Sequence, residues 1–265
     1  MNRETPAAVN QYLKHLFKSF HLHGIHSPFV FEFEKKCLRD SSYYQDYERL
    51  SRFRESVKNT PTVLQIQDHG AGSQVFKSNT RNTADILKHN SSSVKMSRLL
   101  YRVVRYFKPQ QVLELGTSLG IATHAMATAA PDAQIKSIEG SAAIADFTSN
   151  HLENHQVDNV CITTNTFDDF LDKLLKETNS HQYDLVYLDG HHDGAATIVY
   201  FERLLAYSHN DTVFILDDIY WSRDMTAAWN KLCKHSKVSA SVDIFEIGFL
   251  FLRKEQPQQR FHVFC

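Results

Sequence analysis

From Ser97 onward the chain alternates two patterns, and this alternation constrains its fold more than any other feature. VLEL (112–115), QIKSIE (134–139), VCITTN (160–165), YDLVYLD (183–189) and TVFILDD (212–218) read as strands. Helical spacing runs over Leu99–Phe107, 119–130, 141–155, 167–178, 194–207 and 221–235. Strands joined through helices of this length cannot form hairpins; they make right-handed crossovers and a parallel sheet covered on both faces. Leu185, Val186, Tyr187 and Leu188 form an unbroken apolar run, as expected of a strand buried on both sides. The ending departs from the pattern. VSASVDIF (238–245) and GFLFLRK (248–254) follow each other with almost nothing between them, so an antiparallel hairpin is expected at one side of the sheet.

The N-terminal part is less regular. Thr5-Pro6 reads as an N-cap with proline at the first helical position, and Val9, Leu13, Leu16, Phe17 and Phe20 continue with helical spacing. Further helices are expected over Phe29–Leu38 and Tyr47–Val57, whereas 68–97, rich in Gly, Ser, Asn and Thr, reads as loop. DHGAGS (68–73) looks like a glycine-rich cofactor loop but has no strand-to-helix frame, so it is read as a cap loop. Two regions are therefore expected: a helical cap over 1–97 and a ligand-binding α/β domain over 98–265.

Charge narrows the function. Lys and Arg total 29 against 30 Asp and Glu, leaving no excess to hold a polyanion or an acidic membrane, which argues against nucleic acid as a partner. Cys37, Cys161, Cys233 and Cys265 show no zinc spacing and suit free thiols in a reducing compartment. No signal-peptide core interrupts the first twenty residues and no apolar run is long enough for a membrane span, so a soluble cytoplasmic protein is expected. The oligomeric state stays open, with a homodimer allowed.

In parallel sheets, ligands bind at the carboxyl ends of the strands, and that is where this chain places its polar groups. The first strand runs into ELGTSLG, with Gly116 permitting a tight turn and Gly120 letting the next helix approach the sheet. Ser118 occupies the middle glycine position of a dinucleotide fingerprint, and no GK[ST] follows, so phosphate binding is poorly supported. Glu139 ends the second strand, where a carboxylate can accept from both hydroxyls of a ribose; a solvated strand-end acid is the alternative. Thr166, Phe167 and Asp168 follow the third strand, placed to stack or hydrogen-bond an adenine, although Asp168 equally suits a helix N-cap. Asp189 ends the fourth strand and Asp217 with Asp218 the fifth. Neighbouring strands lie about 4.8 Å apart, so these acids can converge on one hard cation, magnesium or calcium rather than zinc. Capping of the helix near Ser222 is the other reading of Asp217 and Asp218.

VLELGTSLGIATHAMA, SIEG, YDLVYLDGHHDG and ILDDIYWS, in this order and at these intervals, resemble the class I S-adenosylmethionine-dependent methyltransferases. Within that class the likeness is to the small-molecule O-methyltransferases of the catechol, caffeoyl-CoA and macrolide-sugar types, over about residues 98 to 254. HGIHSPFVF is similar to segments of uncharacterised bacterial members. The resemblance implies a Rossmann-like, mostly parallel sheet whose antiparallel last strand is the expected hairpin. It implies S-adenosylmethionine bound by Gly116, Thr117, Ser118 and Gly120, with Glu114 beneath that loop, Glu139 on the ribose, and Thr166, Phe167 and Asp189 completing the cofactor site. It also implies Mg2+ or another divalent cation on Asp189, Asp217 and Asp218. Catechol-type members place a lysine three positions after the first acid and macrolide-sugar members a histidine, so His192 is expected as the general base; a register shift by one would substitute His191. The substrate implied is a small molecule bearing a hydroxyl. A non-catalytic cofactor-binding or interaction protein, and a nicotinamide-dependent oxidoreductase, are the competing readings; the missing GxGxxG counts against the second.

Overall fold

The computed structural model describes residues 12–13, 15–17, 19, 26–66, 80–89, 91–176 and 182–264, which divide between two compact units, Met1–Arg39 with His181–Cys265 and Asp40–Ser180. In chain order the elements are α1 (Pro28–Phe33), α2 (Asp46–Asn59), β1 (Val63–Gln65), β2 (Thr80–Asn82), α3 (Thr83–His89), α4 (Val94–Phe107), β3 (Gln111–Leu115), α5 (Ile121–Ala129), β4 (Gln134–Glu139) and α6 (Ala142–Asn154). There follow β5 (Val160–Thr164), α7 (Phe167–Leu174), β6 (Tyr183–Leu188), α8 (Gly194–Leu204), β7 (Ser208–Asp217), α9 (Arg223–Leu232), β8 (Ala240–Asp243), β9 (Ile247–Phe251) and β10 (Gln259–His262).

In the unit spanning 40–180, β3, β4 and β5 run parallel, with Leu113 opposite Lys136 and Ile138 opposite Thr163. The helices begin where the sequence supplies acceptors for their unpaired N–H groups. Ser93 accepts from Met96 N at the start of α4, and Thr166 from Asp169 N at the start of α7. Thr166, not Asp168, is therefore the N-cap there. Helix α4 stops at Lys108, in the left-handed region at φ 50°, one residue before Pro109. Phe53, Val57, Leu64, Ile86, Leu119, Ile144 and Leu152 share one apolar cluster. Residues 80–97, expected as loop, instead hold β2, α3 and the first turn of α4. Thr83 is buried, with its hydroxyl accepting from Thr62 N, and Ile86 and Leu87 join the apolar cluster. Tertiary packing thus carries a segment whose own periodicity is weak.

In the other unit β6 and β7 are parallel, with Leu188 opposite Leu216, while β9 runs antiparallel to both β7 and β8. The expected hairpin is β8–β9. The chain does not end there, however, because β10 adds parallel to β8, with Phe261 opposite Val242. Pro257 and the polar run before it hid this strand from the sequence pattern. α1 begins at the Ser27 cap with Pro28 in its first turn, and the helix expected to Leu38 finishes as a π-helical turn over Glu34–Leu38. Trp229 of α9 is 1% exposed and lies against Gly248 of β9, so closely that a Cβ there would come within 2.5 Å of the indole. The N-terminal helix expected to begin at Thr5-Pro6 and the DHGAGS stretch lie largely or wholly outside the described residues.

Candidate active site

The 40–180 unit carries the loop between β3 and α5. Gly116 has φ 112°, Ser118 φ 48° and Gly120 φ 72°, so three of five successive residues occupy conformations that L side chains rarely adopt. At Gly120 space is short as well, because a Cβ would lie 2.6 Å from Thr148 Cγ2. Such strain persists only where surrounding bonds over-determine it. Here the Ser118 amide donates to Glu139 Oε2 at 2.9 Å, Thr148 Oγ1 donates to the Ser118 carbonyl at 2.7 Å, and Gly120 N donates to the Thr117 carbonyl at 3.0 Å. Glu139 Oε1 accepts a second amide, Ser141 N, at 3.0 Å, which fixes the carboxylate at the end of β4.

Beneath the loop, Glu114 is fully buried and its Oε2 accepts the hydroxyls of Ser137 at 2.5 Å and Thr123 at 2.6 Å. Thr117, 2% exposed, joins this chain through a 2.6 Å contact between its hydroxyl and that of Ser137. Thr117 and Glu114 thus brace the turn from within. Thr166 spends its hydroxyl on the α7 cap, and Phe167 is buried in the first turn of that helix. Sequence reasoning missed Ser137, Thr123, Ser141 and Thr148. The signal was a small hydroxyl or strand-end polar group at positions where a wholly apolar interior would otherwise run.

The other unit carries the acids. Asp217 is the last residue of β7 and Asp189 directly follows β6, so the parallel register sets them side by side, close enough for each carboxyl to perturb the ionisation of the other. Tyr187, fully buried, donates its hydroxyl to Asp189 Oδ2 at 3.0 Å. Each acid keeps some surface open to solvent, but protein atoms crowd both. Burial first, and then the charges of Asp189 and Asp218, push the Asp217 carboxyl well above the usual carboxylate range. Burial also raises Asp189, against the opposing pull of the nearby His192. Two adjacent carboxyls that resist joint ionisation form a site that a bound cation would relieve. Asp218 adds charge to both, with its own backbone at φ 51°.

Helix capping does not explain the acid pair: Ser222 caps α9, accepting from Met225 N at 3.0 Å, and Asp193 caps α8, accepting from Ala196 N at 2.8 Å. His191 and His192 both have positive φ, 62° and 42°, in a tight turn where His192 N donates to the Gly190 carbonyl. The turn separates their roles. His191 Nδ1 pairs with the Tyr200 hydroxyl at 2.7 Å, whereas the His192 ring faces that of Trp221 at 5.5 Å. The strained backbone at Ser118, His191, His192 and Asp218 therefore falls just past strands β3, β6 and β7. A cavity of about 700 Å3, lined by Gln182, Ser208, Lys237, Lys254 and Gln258, opens instead beside Ser208, at the opposite end of β7 from Asp217. It holds none of these groups. No helix among the described residues is long and apolar enough to cross a membrane.

Residues 113–219 match the family model described as a methyltransferase domain. No curated protein matches the sequence. Among solved structures, the SAH-bound Podospora anserina methyltransferase PaMTH1 shares 15% identity at a TM-score of 0.60, covering 87% of this chain and 97% of its own. The Streptomyces achromogenes O-methyltransferase TomG, in complex with SAM, shares 16% identity at 0.58, covering 84% and 99%. The Bacillus cereus O-methyltransferase, in complex with SAH, shares 16% identity at 0.56, covering 83% and 99%. Residues 113–219 thus carry a methyltransferase domain, and the chain shares the fold of these SAM- and SAH-bound methyltransferases.

Proposed function

We propose that the protein transfers the methyl group of S-adenosylmethionine to a hydroxyl of a small molecule, with a divalent cation at the acid pair. The observation that carries this reading is the side-by-side Asp189–Asp217 pair at the ends of two parallel strands, in the same unit as His192. The donor is assigned to the 116–120 loop and to Glu139, whose carboxylate is already oriented by two amides at the end of β4, where an acid accepts from ribose hydroxyls. Asp189 and Asp217 would hold the cation, with Asp218 adding its charge beside them and moving closer if it also ligates; all are hard ligands of the kind magnesium takes. Bound there, the cation would act as a Lewis acid favouring the ionised form of an alcohol or phenol.

The sulfonium donor is already activated, so the protein must align the reactants and accept a proton. The acceptor oxygen forms its bond to the methyl carbon as the carbon–sulfur bond breaks, sulfur leaves as a neutral thioether, and the hydroxyl proton passes to His192. The Trp221 ring limits the freedom of the imidazole, and Tyr187 holds Asp189 in orientation. The test is methyl transfer to a panel of vicinal diols and catechols, with and without Mg2+. Asp217→Asn should abolish metal-dependent turnover, and His192→Ala should lower kcat by about a hundredfold or more while leaving S-adenosylmethionine affinity intact. Full activity of both variants would overturn the assignment.

A further inference from the structure

Away from the acid pair, His15, Asp243 and His262 bring their ligand atoms within 4.8 Å of one another, the one such group of three among the described residues. Asp189, Asp217 and Asp218 do not meet that criterion. The three come from separate segments: His15 from near the N-terminus, Asp243 from the end of β8, His262 from the end of β10. The side chains of Asp243 and His15 are 0% and 1% exposed, and that of His262 is 13% exposed.

The carboxylate is held in a fixed orientation. Asp243 Oδ2 accepts from the Tyr220 hydroxyl at 2.7 Å and Trp229 Nε1 at 3.0 Å, with Arg260 Nη2 at 3.4 Å, and Oδ1 accepts from Phe245 N at 3.0 Å. His15 Nε2 lies 3.1 Å from Oδ1, and His262 Nδ1 lies 3.3 Å from Oδ2. A tetrahedral ion with bonds of about 2.0–2.1 Å sets its ligands about 3.3 Å apart. Hydrogen bonds span the same distance, but they do not account for His262. Its Nδ1 is buried and lies 3.3 Å from Asp243 Oδ2, but not in the alignment of a good hydrogen bond. A nitrogen lone pair in that position is what a metal ligand offers. Outer donors that fix a ligating carboxylate are likewise the usual surroundings of a metal.

We infer that His15, Asp243 and His262 form a binding site for a transition-metal dication such as Zn2+ or Co2+, a clip joining the N-terminal segment to the β8 and β10 strand ends. Two imidazoles and one carboxylate favour these ions, whereas the all-oxygen acid pair favours Mg2+. The site is independent of the methyl-transfer assignment. The test uses the full chain, stripped with chelator and titrated with Co2+ and then Zn2+. A visible d–d band of a four- or five-coordinate cobalt centre should appear and saturate at one equivalent, and Zn2+ should displace it. His262→Ala and the milder His262→Gln should each lose the band while keeping the wild-type circular dichroism, and Asp217→Asn should retain it. Absence of the band in the wild type, or its persistence in both His262 variants, would overturn the site and leave a hydrogen-bonded clamp.

Discussion

His124 should make the protein markedly acid-sensitive. Its ring, on α5, is 2% exposed and stacks on Phe53 at 4.2 Å with 12° between planes. Burial, followed by the charges of His155 and Arg49, pushes its pKa from 6.5 down to about 3. A group whose folded pKa is depressed leaves stability untouched above its unfolded value and subtracts from it as pH falls, because only the unfolded chain takes the proton. The loss therefore begins near pH 6.5 and grows by about 1.4 kcal/mol per pH unit until the folded value is reached. It amounts to about 2 kcal/mol at pH 5 and to about 5 kcal/mol below pH 3. His124→Leu keeps an apolar group against Phe53 and removes the titration. Urea denaturation at pH 7.5 and pH 5.0 should show wild type losing about 2 kcal/mol more than the variant. His151, also lowered chiefly by burial, stays in both proteins and cancels in the difference. Equal pH dependence of the two proteins would mean that the folded state protonates His124 freely, refuting its assignment as a buried neutral imidazole.

Two glycine substitutions test the close approaches on which the site and the sheet rest. Gly120→Ala meets both a φ of 72° and Thr148 Cγ2 at 2.6 Å, so it should cost about 1–3 kcal/mol and weaken S-adenosylmethionine binding in a calorimetric titration. Unchanged stability and affinity would show that the turn relaxes. Gly248→Ala drives a methyl group into the Trp229 ring, with contacts as short as 2.5 Å, and should lower the urea midpoint by the equivalent of about 1–3 kcal/mol, with quenched or shifted tryptophan fluorescence. A neutral result would mean that α9 can shift away from β9.

The sequence already contained the strand and helix alternation, because burial on both faces of a parallel strand leaves a mark within six or seven residues. The same locality revealed Asp189, Asp217 and Glu139, each a polar residue closing an apolar run. Other features are decided by partners distant in the chain. Periodicity could not choose between a metal ligand and a helix cap for Asp217, and only the Ser222 bond to Met225 N settled that it is no cap. Glu114 reads as one more strand residue until Ser137 and Thr123 are seen on its carboxylate. Strand β10 carries too few residues to announce itself and exists through its ladder with β8. The meeting of His15, Asp243 and His262 had no spacing to betray it, since 228 positions separate the first two. Local sequence thus determined which segments became strands and helices and which residues closed them. Only tertiary structure decided which of those ends met, because hydrogen bonds and charge repulsion act through a few ångströms of space regardless of separation along the chain.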